Sequence, residues 1–243
     1  MDDYSEETYG DRIAGIYDHW YSKFEPSAIQ TLAELAHGGK VLELGIGTGR
    51  IAIPLLNTGL SVHGIDASES MIARLREKPG GKRIPISMGN FADVSIEGQY
   101  SLIYVVFNTF YALLTQDEQG RCFQNVAKHL TSDGVFVIEA FVPDMKRFTA
   151  GQAIRVTRIE LNEVQIDVSQ IDPVSQVVNS QHIVLTEQGT RLFPVKLRYV
   201  WPVEMDLMAR LSQLQLKERW SDWGKNQFTA ESGKHISVYE HSK

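Results

Sequence analysis

Three glycines and two acids are the residues of this sequence best placed to do chemistry. Glu43-Leu44-Gly45-Ile46-Gly47-Thr48-Gly49 stands at the end of Lys40-Val41-Leu42-Glu43-Leu44, an apolar run that predicts a buried strand. Glycines there let the backbone turn tightly and approach a ligand more closely than any Cβ permits. Arg50 to Asn57 has helical spacing, so the loop lies between a strand and a helix, the context a nucleotide cradle requires. Asp66 ends the next strand, Ser61 to Asp66, about 20 residues on, where a carboxylate accepts both hydroxyls of a ribose. The spacing is acid-x-Gly-x-Gly-x-Gly and not the dinucleotide Gly-x-Gly-x-x-Gly. A pyrophosphate docks on a helix N-terminus as an anion. Glu43, two residues before Gly45, opposes an anion and suits a ligand that is cationic at that end. The competing readings are a nicotinamide site and a glycine turn with incidental acids.

The elements that must position these residues follow in a regular order. Ile13 to Tyr21 is a short, aromatic-rich helical segment after a polar, mobile first dozen residues. Pro26 opens a second helix that runs through Leu35 and stops at Gly38-Gly39. After the first two strands a helix carries Met71, Ile72 and Leu75. Ile84 to Met88 and Leu102 to Phe107 are the third and fourth strands. Thr115-Gln116-Asp117-Glu118 has capping-box spacing, and Phe123, Val126, Ala127 and Leu130 share one face of its helix. Ser132-Asp133-Gly134 predicts a turn into a fifth strand, Val135 to Phe141. The fold class is α/β: a Rossmann-like, mostly parallel sheet with helices on both faces. Beyond Asp144 the pattern changes. Ile154 to Trp201 alternates apolar and polar residues, with breaks at Leu161-Asn162, Asp172-Pro173 and Gln188-Gly189. This predicts an antiparallel β-meander inserted after the fifth strand. A helix from Val203 to Leu214 and strands at Leu216–Trp220 and His235–Tyr239 close the domain.

On these residues the sequence resembles the class I S-adenosylmethionine-dependent methyltransferases, from Val41 to Phe141. The resemblance implies that Glu43 and the loop of Gly45, Gly47 and Gly49 hold the methionine end of S-adenosyl-L-methionine. It implies that Asp66 holds the ribose and that Met71 presses on the adenine. The family's acid-plus-apolar pair after the third strand is matched by Asn90 and Phe91, with Asp93 as an alternative to Asn90. After the fourth strand, Asn108 keeps the first position of an Asn-Pro-Pro-aromatic tetrad but no prolines follow. This removes the best argument for a nucleic-acid amino-methyltransferase. Tyr17-Asp18-His19-Trp20-Tyr21 matches the Tyr-Asp-x-x-Tyr pattern of amino-deoxysugar N,N-dimethyltransferases, and the layout is more distantly similar to glycine N-methyltransferase. By that resemblance residues 1–39 form a helical lid, 40–144 the donor-binding core, 145–202 a β insertion over the substrate side, and 203–243 the closing helix and strands.

Catalytic candidates follow from methyl transfer to a lone pair. Tyr17 and Tyr21 line the site, their rings toward the sulfonium, or else pin the lid to the core. Glu139 and Phe141, at the end of the fifth strand, face the acceptor region of such folds; Glu139 contacts a substrate amine or pairs with a buried arginine. His19, His182 and His235 are each candidates for a base. The lone Cys122 reads as a core residue of its helix and cannot form an intrachain disulfide, which fits a reducing, cytoplasmic compartment. A net charge of −6 disfavours a nucleic-acid partner. No apolar stretch is long enough to span a bilayer, and without clustered Cys/His spacing no metal is expected. The expected activity is methyl transfer to a nitrogen or oxygen of a small-molecule acceptor, with the exposed meander available to pair in a homodimer. A cofactor-binding subunit without turnover, a peptide or protein acceptor, and aminocarboxypropyl transfer are the alternatives.

Overall fold

The computed structural model describes residues 4–5, 7–21, 25–93 and 96–242. The expected polar lead-in lies partly outside them, at residues 1–3 and 6. Its remainder is not loose chain, because Thr8–Ile13 forms helix α1. The single helix expected from Ile13 to Tyr21 is broken by a turn at 14–16, and α2 spans Tyr17–Trp20. α3 (Pro26–Leu35) begins on its proline as expected. β1 (Val41–Leu44), α4 (Ala52–Asn57), β2 (Val62–Asp66) and α5 (Glu69–Glu77) follow, then β3 (Ile86–Met88), β4 (Tyr100–Val105), α6 (Gln116–His129) and β5 (Leu130–Phe141).

Three boundaries depart from the sequence reading for local reasons. β3 starts after Pro85, which has no N–H to donate to a ladder; its carbonyl still accepts from Gly64 N at 3.0 Å. β4 ends before Phe107, because Phe107 and Asn108 take φ of +58° and +67°, which turns the chain off the sheet. Ser132-Asp133-Gly134 is no separate turn: β5 begins at Leu130, and a register shift opposite Tyr100/Leu102 absorbs these residues as a bulge. The capping box at Thr115 forms as its spacing predicts, with Thr115 Oγ1 accepting from Glu118 N and Glu118 accepting from Thr115 N.

The main sheet has the order β10-β11-β5-β4-β1-β2-β3. β1 to β5 run parallel, and the C-terminal strands β10 (Leu214–Trp220) and β11 (Lys234–His241) close it antiparallel. Between β5 and β10 the chain leaves to build a second, antiparallel sheet. It comprises β6 (Gln152–Glu160), β7 (Glu163–Asp172), β8 (Val177–Thr186) and β9 (Gly189–Arg198), in that order, and returns through α7 (Pro202–Leu211). Ile171, Val178 and Leu197, side by side in the register, seat one end of this second sheet on the main core. Arg198, 5% exposed, fixes the joint: its guanidinium bonds Gln119 of α6, Gln176 at 2.9 Å and Glu204 of α7 at 2.8 Å. Val184 and Phe193, further along the same face, pack with Ile13, Trp20 and Tyr21 of the N-terminal segment. The second sheet is thus a roof held at one end by the core and at the other by α1 and α2.

Candidate active site

The glycine loop leaves β1 with φ of +70°, +54° and +76° at Gly45, Gly47 and Gly49, a region L side chains avoid. A Cβ on Gly45 would strike the Thr109 methyl, whereas one on Gly47 would project into open space. That open space beside Gly47 is where a ligand can come against bare backbone. The loop's amides are largely engaged within the protein. Gly45 and Ile46 donate to Ile65 O at 2.8 and 2.9 Å, Gly49 donates to Ile46 O at 3.0 Å, and Gly47 donates to Asp66 Oδ2 at 2.6 Å. A pyrophosphate needs free N–H groups; this loop withholds them.

Two carboxylates face the loop from adjacent strands. Glu43 is fully buried, accepts from the Tyr104 hydroxyl at 2.7 Å, and is pushed by burial up to about 8. Asp66 is raised by burial too, against donation from Ser68 N at 2.9 Å and from Gly47 N. Buried acids whose ionised forms are under-compensated make a strong site for a cation. The residues therefore fit a cationic nucleoside such as S-adenosylmethionine, and they do not fit a diphosphate.

The N-terminal segment is tied to this loop by the acid of its Tyr-Asp-x-x-Tyr stretch. Asp18 accepts from Thr48 Oγ1 at 2.7 Å, and Lys78 bridges Asp18 and the Thr48 carbonyl, each at 2.8 Å. α1 is stapled in the same way: Asp11 accepts from Ser68 Oγ, the N-cap of α5, at 2.6 Å. Tyr17 and Tyr21 lie ring against ring, tilted by 52° with centroids 4.9 Å apart, and Tyr21 meets Phe107 edge-on at 5.0 Å while Arg50 covers that ring at 4.3 Å. Tyr9, which the sequence reading did not single out, joins them through the Tyr21 hydroxyl at 3.4 Å. Burial pushes Tyr17 up to about 12 and raises Tyr21 and Tyr9 as well. These phenols stay protonated at neutral pH, so they are hydrogen-bond donors there and not bases.

Other expected residues are committed to neighbours. Met71 is buried in one cluster with Ile13 of α1 and Ala14 just after it. Asn90 Oδ1 accepts from Ala92 N at 2.9 Å, and Phe91 is buried beside Gly45. Asp93 faces away, in a bidentate pair with Arg121 at 2.6 and 2.9 Å. Asn108 clasps the ends of β4 and β5: its N–H donates to the Glu139 carbonyl at 3.1 Å and its Oδ1 accepts from Phe141 N at 2.7 Å.

A cavity of about 420 Å³ opens at the carboxyl ends of β4 and β5, lined among others by Arg50, Phe107, Asn108, Glu139, Phe141 and Lys234. Its charges come in both signs. Glu139 accepts from Phe107 N at 3.1 Å and pairs with Lys234 at 3.2 Å, so its partner is a lysine and not the buried arginine weighed from sequence. Lys234 also reaches Glu25 at 2.6 Å.

The three histidines separate cleanly. His19 is exposed on the outer side of α2. His235 is sealed in the core, bonded to Ser237 Oγ at 2.8 Å, and burial pulls it down to about 3, which removes it as a base. His182, on β8, lies opposite Asp167 of β7 and donates Nδ1–H to that carboxylate. Both side chains are 26% exposed on the roof face that meets the lid, and Trp20 stands edge-on to the imidazole at 6.4 Å. The sequence hid this pairing, because the two residues are fifteen positions apart and only the register of a hairpin joins them.

Comparisons with known proteins agree with this geometry. Residues 41–134 match a family model described as a methyltransferase domain. The solved structure of the CcbJ methyltransferase from Streptomyces caelestis superposes with a TM-score of 0.93 at 40% identity, over 99% of this chain and 100% of that one. The cypemycin N-terminal methyltransferase of Streptomyces sp is 26% identical over 96% of this chain and 97% of its own. The fold is shared with CalS10, an amino pentose methyltransferase from Micromonospora echinaspora solved with S-adenosylmethionine bound. There the TM-score is 0.63 at 18% identity, over 99% of this chain and 93% of that one.

Proposed function

The chain belongs to the class I S-adenosylmethionine-dependent methyltransferases, and we propose that it methylates an amine nitrogen of a small, polar acceptor. The observation that carries the acceptor reading is the mixed-charge cavity at the ends of β4 and β5. Its volume of about 420 Å³ suits a small molecule rather than an extended chain, and Glu139 and Lys234 give it partners for both signs of charge. The relatives add support, since the cypemycin enzyme is named for an N-terminus and the CalS10 enzyme for an amino pentose.

When bound, the donor supplies an electrophilic methyl group on a cationic sulphur. In this reading Glu43 and the loop Gly45–Gly49 take its cationic end, and Asp66 takes the ribose hydroxyls. Met71, Asn90 and Phe91 flank the nucleoside, and Asn108 fixes the strand ends beside it. Tyr17, Tyr21 and Phe107 close over the reacting atoms, exclude water and present ring faces to positive charge, a contact worth about 0.5–2 kcal/mol. Glu139 and Phe141 hold the acceptor. An alkylamine enters as an ammonium and must lose a proton before its lone pair can attack. His182 Nε2 takes that proton in this reading: Asp167 accepts from Nδ1–H, which fixes the tautomer with its lone pair on Nε2. Alignment supplies most of the remaining acceleration.

The test is incubation of the protein with deuteromethyl donor and a pool of small amines, alcohols and short peptides, followed by mass spectrometry. A labelled methyl group on an amine of a small molecule is expected. Label found only on peptides, or only on oxygen, would replace this reading.

A further inference from the structure

The inner face of the roof carries more than the Asp167–His182 pair. The register aligns Arg155, Asp167, His182 and Phe193 across β6 to β9. A bulge after Val156 brings Arg158 into line with Gln165, Val184 and Arg191, and Glu160 and Glu163 stand in the row beyond. Residues of these rows share one face, the one on which Phe193 packs with Ile13 and Trp20. The charges on it are matched almost throughout. Asp167 accepts from His182, and Arg158 pairs with Glu160 at 3.1 Å. Glu163 accepts from Gln165 at 2.9 Å, and Arg191 covers the Phe193 ring at 5.0 Å. Arg155 is the exception. It stands directly across from Asp167, where opposite charges ordinarily meet. His182 takes that carboxylate instead, and the Arg155 guanidinium has no hydrogen bond, ion pair or ring contact among the described residues.

The fold sets this free fork beside the cavity. β6 is an edge strand, and 142–151 link it to the end of β5, where Glu139 and Phe141 line the cavity. Phe148 of that link packs on the main core, and Gly151 O accepts from Ile171 N at 2.9 Å, so Arg155 lies toward the seated end of β6 and not at its free tip. Tyr21, raised by its burial and further by the charge of Asp167, meets Phe107 of the cavity wall at 5.0 Å. We infer that Arg155 holds a carboxylate of the methyl acceptor, which makes the substrate class an amine that also carries a carboxylate. This rests on the reading of the cavity and the Asp167–His182 pair as the acceptor site, and adds the acceptor's second charge to it. Two strand spacings, about 10 Å, separate Arg155 from His182, a span that one small molecule bridges. The guanidinium fork matches a carboxylate with two parallel N–H···O bonds. One free guanidinium balances one negative charge, which favours a carboxylate over a dianionic phosphate ester. On a chain of net charge −6, an unpaired cation beside the base also decides which way round an anionic acceptor docks.

The test repeats the deuteromethyl labelling of the amine pool, before and after its carboxylates are blocked as esters. Wild type, Arg155→Leu, Arg155→Lys and Arg158→Leu are compared side by side. In the wild type the labelled amine should carry a carboxylate, and esterification should remove the label. For that acceptor Arg155→Leu should raise KM about tenfold and hold kcat within about twofold, with part of the loss recovered in Arg155→Lys. Arg158→Leu, on the same face but paired with Glu160, should match wild type. Calorimetric binding of S-adenosylmethionine should be unchanged in every variant. A labelled amine without a carboxylate, one bearing only phosphate, or one that Arg155→Leu methylates as well as wild type overturns the inference and leaves amine methylation standing. A fall in kcat with weakened donor binding overturns it too, since that is a structural role. No labelled amine at all overturns both readings. The ester comparison uses the wild-type chain, so a variant that fails to fold does not protect the inference.

Discussion

In the main sheet all four residues of β1 are buried, and its one acid, Glu43, is sealed against a tyrosine hydroxyl. In the roof sheet eight of the nine residues of β6 are exposed, including three branched apolar ones. Both sheets read as regular strands, but burial does different work in them. In the first, apolar faces on both sides fix the strands so firmly that the carboxyl group of Glu43 is held out of water and raised to about 8. In the second, stability comes from the ends seated on the core and on α1 and α2 and from ladder hydrogen bonds, which leaves Asp167 and His182 half-buried on one face and branched apolar side chains exposed on the other. A buried sheet perturbs the groups it carries; a half-buried one presents them.

That contrast can be broken most severely at the joint. Arg198→Met leaves Glu204 and Gln119 without their cation and should lower stability by about 3–5 kcal/mol in urea unfolding. A loss below 1 kcal/mol would mean the roof is seated by its apolar end alone.

Next in size is the group the roof presents. His182→Gln should lower the rate of amine methylation by about 100-fold at pH 7. The gap to wild type should narrow as pH rises and the acceptor loses its proton to water unaided. A deficit that is the same at every pH would make His182 a wall of the site and not its base.

Asp66→Ala should weaken donor binding by about 1–3 kcal/mol in calorimetry, through the lost ribose bonds and the Gly47 amide left unpaired. Unchanged affinity removes Asp66 from the site.

Glu43 gives a pH signature. Its pKa is about 8 in the folded chain against 4.5 for an ordinary glutamate. Between those values the folded state holds the proton and the unfolded state does not, so stability from this group is full below about 4.5 and declines as pH rises to 8. A cationic donor favours the ionised form. Its affinity should therefore rise toward pH 8, by at most about tenfold per pH unit, with a proton released on binding. Calorimetry in buffers of different ionisation enthalpy measures that release. Glu43→Gln should abolish the release and stabilise the ligand-free protein at pH 8.

The smallest effect belongs to the outer roof. In dilute protein Ile154→Thr should change unfolding stability by less than about 0.5 kcal/mol, as a residue 76% exposed requires. A larger loss would show that this face is already covered within one chain.

The sequence alone determined the glycine loop and the two acids that face it. Acid, glycine and acid sit within one strand-loop-helix-strand unit, where local spacing dictates geometry, so Glu43, the three glycines and Asp66 could be read in order. From α3 onward the succession of elements and the hairpin breaks of the insertion were legible as well, because turn chemistry and period are local properties. Only the tertiary structure decided which histidine meets an acid, which lysine meets Glu139, that Asn108 clasps two strand ends, and which face of the roof looks inward. Those facts depend on strand register and on packing between segments far apart in the chain. A period-2 pattern says that a strand has two faces, and the burial of each is set by what the rest of the chain lays against them.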